Sequence, residues 1–138
     1  MKTEFICYPV VIEKHSEKEA YTSFFPDLDG CYSGGKTIKE TISNSKEALS
    51  LHYLEMENDV DIIKEPSDPD EIKLKDNQIL VYIDVNMGWV REKEKYKSIT
   101  RAITLPKWLN EKAKESGINV SMVLQRALME TLNIKEED

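Results

Sequence analysis

Two spacings of apolar residues divide this chain into strands and helices. Phe5 to Glu13 (FICYPVVIE) is dense in aromatic and β-branched residues and reads as a strand. A polar turn, HSEKE at 15–19, separates it from a second strand at Ala20–Phe25, so the two predict a hairpin. Pro26-Asp27-Leu28-Asp29-Gly30 reads as a tight turn: Pro26 fixes φ, the aspartates can bond nearby backbone N–H groups, and Gly30 takes a positive φ at little cost. Cys31–Gly35 follows as a short third strand. The period then lengthens from two to 3.6. Ile38, Ile42, Ser45, Ala48, Leu49, Tyr53 and Met56 form one face of a helix running to about Glu57. Thr37 and Glu40 supply its capping box. Residues 65–77 (EPSDPDEIKLKDN) are proline- and charge-rich and predict a loop, and Ile79–Val85 predicts a fourth strand. Arg91–Lys97 is charged throughout except for Tyr96 and reads as a linker or helix-like spacer.

The last stretch carries a different pattern. Along SITRAITL, Ile99, Arg101, Ile103 and Leu105 alternate with Thr100, Ala102 and Thr104, as side chains do on a strand. Pro106 ends that strand at the position of a first helical residue. Trp108, Leu109 and Ala113 give the next helix an apolar side, and Gly117 stops it. Asn119 or Ser121 can cap a final helix, in which Val120, Val123, Leu124, Ala127, Leu128 and Leu132 share one face. One strand and two helices cannot enclose a core, and a lone strand leaves its edges unpaired. The economical arrangement is a two-fold dimer. The two strands form an antiparallel ribbon over four helices, with Ile103, Leu105, Val120, Val123, Leu124, Ala127 and Leu128 as its core. A two-stranded ribbon of this kind fits the major groove of DNA.

The expected class is therefore α+β. A β-β-β-α-β antiparallel sheet domain spans 1–90, a linker 91–97, and a strand-helix-helix dimerisation module 98–138. Charge sharpens the division. Residues 1–97 hold 13 Lys+Arg against 20 Asp+Glu, whereas residues 98–138 hold 6 of each. Any contact with nucleic acid thus belongs to the C-terminal module, and the acidic domain suits a basic protein partner. No apolar run reaches membrane-spanning length, and the N-terminus lacks a signal-peptide layout, so the expected location is cytoplasmic, away from membranes. Cys7 and Cys31 have no C-x-x-C spacing and read as buried thiols rather than a disulfide or metal site.

The C-terminal pattern of polar alternation, L-P, W-L, G-x-N-x-S and an apolar helix resembles the ribbon-helix-helix family of DNA-binding proteins. That resemblance implies that Thr100 and Thr104 read base edges and that the start of the last helix, Asn119 to Ser121, holds a phosphate. Arg101 departs from it by falling on the inward side, from which it would snorkel to a phosphate. Ala102 stands in a reader position, where it can touch a thymine methyl. YPVVIE, FPDLDGCYSGG, T-x-x-E and K-EAL-L resemble the HicB antitoxin family, in which a degenerate ribonuclease H-like domain carries a DNA-binding tail. The resemblance implies a type II antitoxin. Its first domain would cover the active site of a small basic HicA-like messenger-RNA interferase, and its dimeric tail (or a tetramer) would bind and repress its own palindromic operator. Asp27, Asp29 and Tyr32 are the candidate toxin contacts.

Catalysis is not expected. Asp27 and Asp29 are accounted for as turn formers, Asp84 lacks further acidic residues at strand centres, and His15 and His52 have neither zinc nor triad spacing. No cofactor or metal is expected. A second reading remains open at this level: a free-standing ribbon-helix-helix repressor whose N-terminal domain senses a small ligand, since an apolar pocket leaves no motif.

Overall fold

A computed structural model of the chain, describing residues 4–59 and 62–135, divides into two compact units, Met1–Lys97 and Ser98–Asp138. In the first unit β1 (Phe5–His15), β2 (Ala20–Phe24), β3 (Tyr32–Gly35) and β4 (Gln78–Asn86) form one antiparallel sheet in the order β3-β2-β1-β4. The helix α1 (Ile38–Asn58) covers one face. Ile6, Tyr8, Val10 and Ile12 of β1 join Ile83 and Val85 of β4 and Leu49 and Tyr53 of α1 in a single buried cluster. Alternate residues of β1 point the other way. Cys7, placed among them, is exposed, which corrects the expectation of two buried thiols; only Cys31 is buried. Pro9 is tolerated in this central strand because its missing N–H faces the β2 side at a position past the end of β2, whose last residue, Phe24, pairs with Val11.

The sequence places α1 well, with one shift of face. The Thr37 hydroxyl accepts the Glu40 N–H at 3.0 Å, so the Thr37 half of the expected capping box forms, without the return bond from the Glu40 carboxylate. The fully buried stripe, however, is Thr41, Ser45, Leu49 and Tyr53, and Ile38 is left exposed. The reason is close approach at the helix start. A Cβ on Gly35 would come within 2.9 Å of the Thr41 backbone nitrogen, and only small residues fit there. Their hydroxyls are satisfied locally: Thr41 Oγ1 donates to Thr37 O at 2.8 Å, and the Ser23 and Ser45 hydroxyls meet at 2.7 Å.

Residues 65–77 are irregular apart from a single helical turn at Pro69–Glu71. Of the two readings of 91–97, linker or helix-like spacer, the helical one holds over 91–95, but within the first unit rather than as a spacer. Helix α2 (Met87–Lys95) begins directly after β4, capped by the Asn86 side chain, which accepts the Trp89 N–H at 3.2 Å. Met87 is fully buried, and Arg91 forms a two-point ion pair with Glu57 of α1, its Nε donating to Oε2 at 3.0 Å. The first unit therefore extends to Lys97, beyond the predicted limit at 90.

The second unit contains α3 (Lys107–Glu115) and α4 (Val120–Thr131). Pro106 is the N-cap of α3 rather than its first residue. Both helices end alike. Gly117 takes φ +65° while Ile118 N–H donates to Ala113 O; Asn133 takes φ +57° while Ile134 N–H donates to Met129 O. Ser98–Leu105, expected as a strand, has no strand pairing in the single chain, since a strand exists only with a ladder partner.

Candidate functional site

The β2–β3 turn folds inward around Phe25, Leu28 and Cys31, all buried, and Gly30 closes it at φ +84°. Asp27 is buried with them, which corrects its reading as a surface acid. Its carboxylate accepts the Ser67 N–H at 2.9 Å and the Ser67 hydroxyl, and Lys64 Nζ lies 3.4 Å away. Burial pushes the Asp27 carboxyl up, but the Ser67 hydroxyl, the Ser67 amide and the Lys64 ammonium outweigh it and hold the group below the usual carboxylate range. Asp27 is thus a clasp between the turn and the loop after α1.

Two tyrosines complete that clasp. Tyr8 donates its hydroxyl to Lys64 O at 2.7 Å, and Tyr82 donates to Ser67 O at 2.7 Å. Burial raises the Tyr8 phenol to about 12, with smaller contributions from Tyr53, Glu65 and Asp27. The Tyr82 phenol is also raised, first by lost hydration and then by Asp68, Asp27, Cys7 and Glu71, which places acidic loop residues beside this strand. Ser67 and Tyr82 carry no motif. The contact between residues 27 and 67 spans forty positions of sequence and left no local signal.

Asp29 and Tyr32, unlike Asp27, are exposed; Tyr32 keeps 71% of its surface. Asp29 borders a groove of about 520 Å³ between the turn and the C-terminal half of α1, whose rim also includes His52, Glu55, Asp59 and Lys64. Among the described lining residues four carboxylates, Asp27 included, stand against one ammonium and make this groove acidic. His15 is engaged locally, its Nε2 lying 2.8 Å from the Thr22 hydroxyl and 3.2 Å from Glu13. Among the described residues no three His, Cys, Asp or Glu side chains come together as a metal site.

In the second unit Thr100, Arg101, Ala102 and Thr104 are all exposed, and so are Ile103, Val123, Leu124, Ala127 and Leu128; Leu105 and Val120 are half-buried. The intended core residues therefore lie open on one chain. Of the two capping candidates Asn119 takes the role, its side chain accepting the Met122 N–H at 3.2 Å, while Ser121 stays exposed inside the first turn.

The family model for the HicB-like antitoxin of bacterial toxin-antitoxin systems matches residues 8–128, which spans both units. The chain belongs to the HicB-like antitoxin family. A 14.9 kDa protein from the rep-hol intergenic region of Haemophilus phage HP1 is 34% identical over 98 residues, covering 67% of this chain and 71% of that protein. Among solved structures, a toxin-antitoxin complex from Streptococcus pneumoniae aligns at 22% identity and a TM-score of 0.60, covering 92% of this chain and 99% of the other. The antitoxin HicB of Burkholderia pseudomallei aligns at 21% identity and a TM-score of 0.55, with 92% and 98% covered. At these identities the likeness concerns the fold: among the described residues, a mixed α+β arrangement with a four-stranded antiparallel sheet and four α-helices.

For a HicB-like chain the sequence signature thus divides by role. In FPDLDGC, Phe25, Asp27, Leu28 and Cys31 build the turn, and Asp29 and the following Tyr32 remain on the surface. No helix among the described residues is long and apolar enough to cross a membrane.

Proposed function

We propose that this chain is the antitoxin of a HicA-like messenger-RNA interferase: its first unit covers the toxin, and its second unit, as a two-fold dimer, binds a palindromic operator and represses its own operon. Family membership across both units is the observation that carries this reading. Charge supports the first half. A sheet domain with an excess of seven acidic residues complements a protein whose surface must grip RNA, and such matching speeds association and favours the right partner. The first domain then acts as a binding surface, a role in keeping with the degenerate ribonuclease H-like fold that the resemblance implies.

Exposure supports the second half. Val123, Leu124 and Leu128 lie on one face of α4 with no cover, and Ser98–Leu105 alternates without a ladder partner. Pairing two copies would satisfy both at once, as a ribbon-helix-helix dimer does. Thr100, Ala102 and Thr104 from both strands would then face the major groove, Arg101 would reach a phosphate, and the first turn of α4 at Asn119–Ser121 would hold another with its amides.

The test is co-expression with the small basic reading frame beside the gene, tagging only that neighbour. Recovery of a stable complex, with RNA cleavage when this chain is withdrawn, is expected; no complex with any such neighbour refutes the antitoxin role. For the tail, Leu124→Asp places a charge in the dimer core and should abolish operator binding, whereas Thr104→Ala should weaken it and relax base preference. Normal operator affinity in Leu124→Asp would refute the ribbon-helix-helix assignment.

A further inference from the structure

The two edges of the sheet are finished differently. The β3 edge is four residues long, contains Gly34 and Gly35, and is occupied: Asn44 Nδ2 donates to Gly34 O at 2.8 Å. The β4 edge is nine residues long. Its hydrogen-bond phase follows from its two ends. Met87 N–H donates to Glu4 O, and Lys14 N–H donates to Asn77 O, so the odd-numbered residues of β4 turn their backbone groups toward β1. The even-numbered residues, Leu80, Tyr82 and Asp84, turn theirs outward. No described residue hydrogen-bonds to those three outward amides.

Strand edges in natural proteins are usually guarded by lysine, proline, a bulge or short length. The sequence QILVYIDVN has none of these. It is apolar on both faces, with Ile79 44% and Tyr82 38% exposed. Its surroundings are acidic: Asp84 lies on the strand, and the carboxylates of Asp68 and Glu71 act on Tyr82. A second copy of this chain would bring the same negative charges against themselves. A strand from a basic protein would not.

We propose that the outer edge of β4, at Leu80–Asp84, is where the basic partner toxin adds a strand of its own to this sheet. The backbone groups of the edge would supply the hydrogen bonds, and the neighbouring acids would select the partner. This rests on the antitoxin reading above and names the surface it uses.

The test uses the full chain and the product of the adjacent small basic reading frame, with residue-resolved hydrogen exchange on the free chain and on the complex. The amides of Leu80, Tyr82 and Asp84 should exchange freely in the chain alone and become protected in the complex, while Val81 and Ile83 are protected in both. Asp84→Pro removes an outward amide without touching the β1 ladder and should weaken the complex at least tenfold; Asp84→Ala, which keeps the amide, should weaken it far less. A complex that forms with the three amides still exchanging freely overturns the proposal and leaves the antitoxin role standing. Protection that appears in the chain alone and rises with its concentration would assign the edge to a second copy and overturn it equally. Absence of any complex with the wild-type chain removes both.

Discussion

Asp27 and Asp29 stand two positions apart in one turn and should respond very unequally to removal. The Asp27 carboxylate accepts two hydrogen bonds from Ser67 and is almost fully enclosed. A hydrogen bond to a charged acceptor contributes about 1.5–3 kcal/mol, and Asp27→Ala removes two of them from the half-buried Ser67, so the expected cost is about 3–5 kcal/mol. Lys64 is largely exposed and its ion pair adds less than about 1 kcal/mol. For a domain of this size that corresponds to a melting temperature lowered by at least ~12 °C. Asp29→Ala, at an exposed site, should stay within about 0.5 kcal/mol of the parent. All six tyrosines lie in the first unit, so tyrosine ring signals followed by NMR during a urea or thermal melt report that unit alone. Acid supplies the second half of the test. The folded Asp27 pKa lies below its ordinary 3.8, so its stabilising effect is fully present above the unfolded value and is lost as the pH falls through the folded one. The gap between parent and Asp27→Ala should therefore be constant near neutrality and close below about pH 4. A parent and an Asp27→Ala protein that melt together at pH 7 would refute the clasp.

Two further substitutions probe other joints of the same unit. Thr37→Ala deletes the α1 cap and should cost about 1 kcal/mol by denaturant titration, a loss that Thr37→Ser largely recovers. Arg91→Ala leaves the nearly enclosed Glu57 carboxylate without its two-point partner and should cost about 2 kcal/mol; Arg91→Lys should restore little of it, because an ammonium cannot reproduce the fork.

What the sequence made legible was local chemistry. The Thr37 cap, the positive φ at Gly30, the stop at Gly117 and the cap at Asn119 each depend on residues within five positions of one another and form as read, whereas Asp27 leaves its own turn to accept from Ser67. What it hid depends on distance or on company. The burial of Asp27 needs Ser67, and the inclusion of residues 91–95 in the first unit needs Glu57; neither partner is nearby in sequence. Charge density at 91–97 suggested a solvated spacer, yet Met87, Val90 and Arg91 sit at helical spacing and turn one side of α2 to the domain. Thr41 escaped notice because a small polar residue in a helix reads as surface, and here close approach selects it. Ile99–Leu105 shows a strand's alternation without a strand's partner, and the partner in the proposed dimer would be another copy.

Among the described residues of the second unit not one is buried, whereas the first unit encloses a continuous core. The first unit therefore keeps its shape at any dilution. In the proposed dimer the second gains its cover from another copy, so its order would be a bimolecular quantity, weakening by about 1.4 kcal/mol for each tenfold fall in concentration. On that proposal one polypeptide joins a part whose state is fixed by its sequence to a part whose state would report how many copies surround it.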